Sequence, residues 1–207
     1  MSRLQKALQR SNRTEGSRIG FGPVNREKPR AMVLGALAKD AKSIGAAIDA
    51  GADFVVVKAD TGEAAASAMN GAETAKAPVG AWVSKLDLDG ATALKEAGAD
   101  FIASSLDDTA AAAVNGDDPG HVLAVTSDMD DTSLRAISGL TLDGLFVKRP
   151  KGPMTLQQQV ELTRLAMLAS TPLLVNAPGD LDVGELRVLR DAGAAAIVAA
   201  DGTSADE

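Results

Sequence analysis

Two lysines stand at matching places in this chain of 207 residues and could act together on an anion. Lys58 follows the apolar run Val55-Val56-Val57, and Lys148 follows Leu145-Phe146-Val147. An amine at the end of a buried strand is partly withdrawn from water, which is a condition under which lysine becomes nucleophilic. The pair therefore predicts a pocket for a small anionic or carbonyl metabolite, or a Schiff-base lysine. The alternative is that both side chains extend from a rim into water.

Further polar candidates follow the other apolar runs. Lys85 could be a third member of the lysine set, and Asp128 could relay a proton beside a lysine. Arg149 could hold a substrate carboxylate, but adjacent strand residues face opposite ways, so it joins Lys148 only if the strand bends at Pro150. The candidates for substrate binding are Asp60, Ser105, Arg149, Asn176 and Asp201.

Most other carboxylates in these positions are predicted to cap helices. Aspartate is a preferred N-cap residue, and Asp182 has Glu185 three residues later, which is a capping-box spacing. Carboxylates near strand ends could instead bind Mg²⁺, but no histidine lies among them, so we expect no dedicated metal site and no resident cofactor. The residues that capping explains least well are Asp60, Ser105, Asp128 and Asp201.

A recurring phrase indicates the elements that position these residues. It reads Ala-Gly-Ala-Asp at residues 50–53 and 97–100, Thr-Leu-Asp-Gly at 141–144, and Ala-Gly-Ala-Ala at 192–195. The glycine is typical of the residue that ends a helix, and the apolar run after it is typical of a strand covered on both faces. Four such joints predict a fourfold repeat.

Four more apolar runs lie between these joints and bring the predicted strands to eight. Eight strands in quarters of about 43–53 residues favour a single compact (βα)8 TIM barrel over an open sheet. Active sites of such barrels lie at the carboxyl ends of the strands, where the second and sixth strands would place Lys58 opposite Lys148. The four runs are Ala31–Leu37, Pro78–Val83, His121–Thr126 and Pro172–Asn176.

The chain divides into a basic segment at 1–30, a barrel at 31–201 and a tail at 202–207. Residues 1–30 carry eight Lys or Arg and two acids, and the remainder carries thirteen against twenty-six. Leu4 and Leu8 predict an amphipathic helix from Ser2 to about Arg10. Because little chain follows the eighth strand, we expect no eighth helix. The N-terminal helix or a partner subunit should then cover strands 8 and 1, which favours a homo-oligomer. A mitochondrial-type leader is the alternative reading.

Composition excludes several function classes. The chain has no cysteine, no tyrosine and one histidine, His121, which precedes a strand and so lies at the end of the barrel that serves stability. A net charge of −7 and few aromatic residues argue against nucleic-acid binding, and no apolar run is long enough for a membrane span. A cytoplasmic location is expected. Trp82 lies inside a strand and is interpreted as packing of the barrel wall.

Residues 172–176, 186–193 and 197–198 resemble the last quarter of the phosphate-binding (βα)8 barrels. That group includes indole-glycerol-phosphate synthase, ketodeoxyphosphogluconate-type aldolases and flavin-dependent nitronate monooxygenases. The resemblance implies a phosphate site after strands 7 and 8. The sequence departs from the group at both turns, where Ala177-Pro178-Gly179 and Asp201-Gly202 stand, and the second turn puts an acidic group where phosphate would lie.

Three functions are compatible with these features. The first is a lyase or aldolase with Lys148 as the Schiff-base or acid–base amine and Lys58 as its electrostatic partner, by analogy of position with class I aldolase barrels. The second is a noncatalytic binding or assembly module. The third is a flavin- or phosphate-binding barrel enzyme.

Overall fold

The structure, a computed structural model, describes residues 1–12, 32–114, 116, 118–149, 152–178 and 181–199. Eight parallel strands pair in chain order, and β1 closes the barrel against β8. The predicted (βα)8 architecture is confirmed. The strands are β1 Val33–Ala38, β2 Phe54–Thr61, β3 Val79–Lys85, β4 Phe101–Ser105, β5 Gly120–Val125, β6 Gly144–Lys148, β7 Leu173–Ala177 and β8 Ala194–Ala199.

Helices cross between most successive strands. A short 3-10 helix, Ala111–Val114, lies in the connection from β4 to β5, where the described residues contain no α-helix. None of the helices in the described ranges has the length and apolar character that a bilayer crossing requires. The α-helices are α1 Arg3–Asn12, α2 Ala41–Asp49, α3 Gly62–Met69, α4 Leu88–Glu96, α5 Asp131–Ile137, α6 Leu156–Ala169 and α7 Val183–Asp191.

Aspartates cap several helices, as the sequence predicts. Asp40, Asp87 and Asp130 are the N-cap residues of α2, α4 and α5, and each accepts a backbone N–H of the first turn. Asp182 caps α7 by accepting the N–H of Glu185 at 2.7 Å, but Glu185 does not complete the predicted capping box. Its carboxylate binds Arg149 instead.

The recurring glycine and aspartate have separate tasks at the amino ends of the strands. Gly51 and Gly98 have φ of +95° and +79°, the left-handed conformation that a helix-ending glycine supplies. The carboxylate of Asp53 accepts the N–H of Leu34 in β1 at 2.9 Å. Asp100 and Asp143 bind the start of α1. The repeated phrase therefore belongs to the end of the barrel that stabilises the fold.

Alternation along the strands separates an interior cluster from two outer clusters. Phe54 and Val56 of β2 belong to the interior cluster, whereas Val55 and Val57 pack under the helices. The Phe54 and Phe101 rings meet edge to face with centroids 6.0 Å apart. Besides Leu4 and Leu8 of α1, the buried members of the interior cluster are Val33, Phe54, Val56, Phe101, Ala103, Val122, Leu174, Ala195, Ala196 and Val198.

Helix α1 closes the amino end of the barrel. Leu4 and Leu8 are fully buried in the interior cluster, with residues drawn from six strands. The carboxylate of Asp100 accepts the N–H groups of Arg3 and Leu4, both at 2.9 Å, and the Ser2 hydroxyl donates to Asp143. The helix has the predicted amphipathic form, but its place differs from the expected one over the outer faces of β8 and β1. Leu34, on the outer face of β1, is 42% exposed.

We expect helix α1 to contribute strongly to the stability of the fold. Replacing Leu8 with alanine removes a fully buried side chain from the bottom of the barrel and should lower the free energy of unfolding by about 2–5 kcal/mol. Urea denaturation measures the change. The matched control is Leu88→Ala on α4, where Leu88 is 56% exposed and a change within about 0.5 kcal/mol is expected. Equal effects of the two substitutions on the free energy of unfolding would contradict the burial of Leu8 at the amino end of the barrel.

Burial of His121 predicts that stability falls in mild acid. This side chain, at the start of β5, is 5% exposed, and desolvation lowers the pKa of its imidazole from the ordinary value. The unfolded chain therefore binds the proton first, so stability is complete above about pH 6.5 and decreases as the pH falls below that value. Because the chain has one histidine, His121→Gln should flatten the stability profile between about pH 7 and pH 5. Parallel profiles for parent and variant would show that another group is responsible.

Candidate functional site

Lys58 and Lys148 both lie on the interior-facing side of their strands at the carboxyl end of the barrel. Lys58 alternates with Phe54 and Val56, and Lys148 follows Phe146 by two positions. Both lysines are exposed, and neither makes an ion pair within the described residues. Two ammonium groups without an ion-pair partner in the described ranges therefore stand at the carboxyl end of the barrel, on strands that are four apart in a ring of eight.

A pair of aromatic rings connects the two lysine positions. Trp82 is the register partner of Lys58 on the neighbouring strand β3, and its ring centroid lies 4.6 Å from that of Phe146. Phe146 precedes Lys148 on the same side of β6. Both rings are half-buried and pack against the interior cluster. The lysines thus flank an aromatic floor that crosses the barrel from β3 to β6.

Polar side chains surround this floor. Asn176 is the register partner of Lys148, is half-buried, and donates to the carbonyl of Val198 at 3.4 Å. Asp60 lies on the same side of β2 as Lys58 and is exposed. On β4, Ser105 shares the side of Phe101 and Ala103, and its buried hydroxyl has no hydrogen-bond partner in the described part of the chain. A free hydroxyl at this depth is available to a bound molecule.

Asp128 lies three residues after the end of β5, the strand next to β6, and is bonded to Thr126. Val125 pairs with Val147, and the same register puts the next residues, Thr126 and Lys148, side by side. A hydrogen bond from the Thr126 side chain is the main cause that holds the pKa of Asp128 below its usual value. Asp128 is therefore a carboxylate at neutral pH and adds a negative charge on the β5 side of the mouth.

Two candidates lie on the other side of the wall. Lys85 ends β3 on the side of Ala81 and Val83, which belong to an outer cluster, so alternation does not place it with Lys58. Arg149 takes the side opposite to Lys148. Its side chain is 2% exposed and forms an ion pair with Glu185 at 2.6 Å.

The Arg149 pair ties two segments together. Nη2 of Arg149 also donates to the carbonyl of Gly152, and the Glu185 carboxylate accepts the N–H of Met154 at 3.2 Å. Nε and Nη1 of Arg149 have no partner among the described residues. These hydrogen bonds connect Gly152 and Met154, which follow β6, to Glu185 in the first turn of α7.

No metal-binding cluster is present in the described residues, and part of the predicted site lies outside them. The described ranges contain no group of three or more histidine, cysteine, aspartate or glutamate side chains that could hold a metal ion. Asp201 lies outside the described residues, as does Gly179 of the turn after β7.

Sequence reasoning did not identify the aromatic floor or the partner of Arg149. The sequence predicts wall packing for Trp82 and leaves its side of the strand open, because the alternation of β3 is ambiguous in a run of apolar residues. The side of Trp82 follows from the pairing of Lys58 with Trp82 between β2 and β3, which is not visible in the sequence. The spacing of Glu185 from Asp182 predicts a capping box, so the sequence gives no reason to expect that Glu185 pairs with Arg149.

Comparisons with known proteins support the fold. No protein-family model and no curated protein sequence matches this chain. Tryptophan synthase from Mycobacterium tuberculosis is similar in structure with a TM-score of 0.63 and 13% identity, over 96% of this chain and 88% of that one. The chain has the TIM-barrel fold.

Two further solved structures agree. An HpcH/HpaI aldolase from Desulfitobacterium hafniense DCB-2 matches with a TM-score of 0.60 and 11% identity, over 82% of this chain and 86% of that one. Phosphoribosyl anthranilate isomerase from Thermococcus kodakaraensis matches with a TM-score of 0.58 and 18% identity, over 81% of this chain and 87% of that one. At these identities the TIM-barrel likeness extends to the fold alone.

The mouth of this TIM barrel is expected to bind small carboxylates, and Trp82 should report the binding. As the chain's one tryptophan it is beside Lys58, so titration with a 2-oxo acid such as pyruvate should change its fluorescence. Lys58→Gln and Lys148→Gln should each weaken the apparent affinity by about tenfold, which corresponds to the loss of one charge-assisted hydrogen bond. Lys85→Gln is the control and should leave the titration unchanged. A loss of affinity in that variant equal to the other two would contradict the assignment.

Proposed function

We propose that this TIM-barrel protein is a small-metabolite lyase of the aldolase type that acts on a carbonyl or carboxylate substrate through a lysine at its mouth. The observation that carries the proposal is the pair of inward-facing lysines on β2 and β6, joined across the barrel by the Trp82–Phe146 floor. A floor of two half-buried rings gives a small substrate an apolar surface, and two cations above it favour an anion. The similar fold of an HpcH/HpaI aldolase is compatible with this chemistry.

Lys148 is proposed as the amine that reacts with the carbonyl carbon. The neutral amine adds to the carbonyl and water leaves, which gives an iminium. A base then takes the proton of the β-hydroxyl, the bond between the α and β carbons breaks, an aldehyde departs, and the iminium accepts the electron pair as an enamine. Protonation of the enamine carbon and addition of water to the iminium release the second product and restore the lysine. Lys148 is preferred over Lys58 because its register partner, Asn176, carries a carboxamide that can bind the oxygen that leaves as water.

Lys58 is proposed as the electrostatic partner that holds the substrate carboxylate from the opposite wall. It also places a positive charge where negative charge accumulates during the reaction. Asp128, an exposed carboxylate bonded to the Thr126 side chain, is proposed to accept a proton from the substrate or from a bound water, although the hydrogen bond that lowers its pKa also weakens it as a base. Ser105, with its free hydroxyl, is proposed to bind a polar substituent of the substrate.

A noncatalytic anion-binding module is the second candidate. The observation that favours it is that both lysine side chains are exposed, since a Schiff-base lysine is usually shielded from water. The two candidates share the binding of anions at the mouth and differ in whether a covalent adduct forms at Lys148.

Borohydride trapping distinguishes them. The protein is incubated with a panel of small aldehydes and 2-oxo acids, reduced, and examined by intact mass and peptide mapping. We expect one substrate-dependent adduct on Lys148 that is lost in Lys148→Gln. The adduct should form more slowly in Lys58→Gln and at the parental rate in Lys85→Gln, because Lys85 lies outside the mouth.

Two outcomes count against the aldolase proposal. Modification spread over many surface lysines would show that the reagents react without a site. A clean absence of adducts, together with carboxylate-dependent fluorescence of Trp82, would leave the binding module as the better function.

A further inference from the structure

A cavity of about 330 Å³ lies at the amino end of the barrel, beside helix α1 and at the end opposite to Lys58 and Lys148. Gln5 and Gln9, one turn apart on α1, line one side of it. The other side is formed by His121 at the start of β5 and by the segment that joins α5 to β6. Sites for small molecules typically have volumes of about 300–1,000 Å³. The chemistry proposed for the mouth uses none of the residues that line this cavity.

His121 is a buried polar side chain of the cavity whose bonding capacity is unused. It is 5% exposed, and its imidazole makes no hydrogen bond with any residue that the structure describes. Burial lowers the pKa of this imidazole, so the ring is neutral at neutral pH and presents one donor nitrogen and one acceptor nitrogen. A buried polar group that lacks a partner in the protein is satisfied when a bound molecule supplies one.

Three further polar groups of the cavity are also uncommitted. The carboxamides of Gln5 and Gln9 and the hydroxyl of Thr141 form no hydrogen bond within the described ranges. A carboxamide both donates and accepts, and so does a hydroxyl. Asp143 differs, because its carboxylate already accepts the hydroxyl of Ser2. The free capacity of the cavity therefore consists of donors and acceptors on neutral groups.

We propose that this cavity binds a small neutral molecule with several hydroxyl groups, a polyol or a monosaccharide, between helix α1 and the barrel. Each hydroxyl of such a ligand donates and accepts, as do the imidazole and the carboxamides that face it.

Charged ligands fit the same groups less well. An anion only accepts, so it would leave the acceptors of the cavity without partners, and the lining includes the carboxylate of Asp143 but no Lys or Arg side chain. An ammonium group only donates, so it would leave the donors of the imidazole and of both carboxamides without partners. The ligand of this cavity thus differs in charge from the anion expected at the mouth.

The ligand would connect segments that lie far apart in the chain. Gln5 and Gln9 belong to α1, whereas His121 and Thr141 belong to β5 and to the segment before β6. A molecule that binds this folded arrangement and not the unfolded chain stabilises the fold and raises Tm. Occupancy of the cavity is therefore expected to hold α1 in its place at the amino end.

NMR spectroscopy of the full chain gives the first test, because the one histidine, His121, has an imidazole signal that needs no further assignment. The probes are sorbitol, myo-inositol and glucose, with dissociation constants of about 1–10 mM expected for ligands of this size. We expect a saturable shift of the imidazole signal with one or more of the three. Absence of a saturable shift with all of them overturns the proposal.

Two charged analogues of sorbitol test the ligand class. Gluconate carries a carboxylate and glucamine an ammonium group on the same six-carbon chain, and both should shift the His121 signal less than sorbitol does. A charged analogue that binds as well as sorbitol overturns the choice of a neutral ligand. Pyruvate is followed through Trp82 at the other end of the barrel, so a failure of anion binding at the mouth leaves this test unaffected.

Variants of the lining locate the site. Gln5→Leu and Gln9→Leu each remove a carboxamide and should weaken binding by about tenfold. Thr141→Phe fills the cavity from its exposed rim and should abolish both the shift and the rise in Tm. Gln157→Leu, at an exposed position of α6, is the matched control and should bind as the parent does. This control also measures the general stabilisation that polyols give to folded proteins. Circular dichroism verifies that the variants fold, and binding at the parental affinity in Thr141→Phe and both glutamine variants overturns the site.

Discussion

Closure of the sheet into a ring is the constraint on which the rest of this structure depends. Once β1 pairs with β8, each strand must turn alternate residues into a space of fixed size, and that space must be filled. Large interior residues are met by glycines on the neighbouring strand: the Phe54 ring occupies the space in front of Gly35, and the Phe101 ring lies against Gly80. A side chain at either glycine would overlap a ring. The interior is thus filled by packing phenylalanine rings against glycines of the neighbouring strands.

The two ends of the ring are treated differently. At the amino end the junction aspartates Asp100 and Asp143 bind the first turn of α1, and its two leucines fill the opening. At the carboxyl end the interior stops at the Trp82–Phe146 pair, and lysines stand above it. Carboxylates favour a helix N-terminus because of the free N–H groups there, so the acidic end receives a helix. At the other end Lys58 and Lys148 stand with the carboxylates of Asp60 and Asp128.

The fold was predictable because its signals are redundant. Each helix-to-strand junction repeats a glycine and an apolar run, and errors of one or two residues at strand ends leave the ring intact. The equal positions of Lys58 and Lys148 in the repeat predict that the two lysines share a side of the wall, and alternation with Phe54 and Phe146 places that side in the interior. What could not be predicted depends on contacts between distant segments. The position of α1 depends on the packing of Leu4 and Leu8 against residues of six strands, which no local pattern contains. The side of Trp82 requires the register of β2 with β3, which no local pattern contains.

Arg149 shows how a residue beside a site can matter without entering it. Burying an ion pair costs desolvation that its attraction only partly returns, so the Arg149–Glu185 pair is weak evidence for added stability. Its geometry indicates a different role. The guanidinium binds the carbonyl of Gly152 on the segment after β6, while the carboxylate it pairs with belongs to α7 and also accepts the N–H of Met154. These bonds connect Arg149 to Gly152 and Met154 and to α7, and Lys148 immediately precedes Arg149. Strand alternation puts Lys148 and Arg149 on opposite sides of the barrel wall. Arg149 therefore stays outside the mouth, and its bonds fix the end of β6 that carries Lys148.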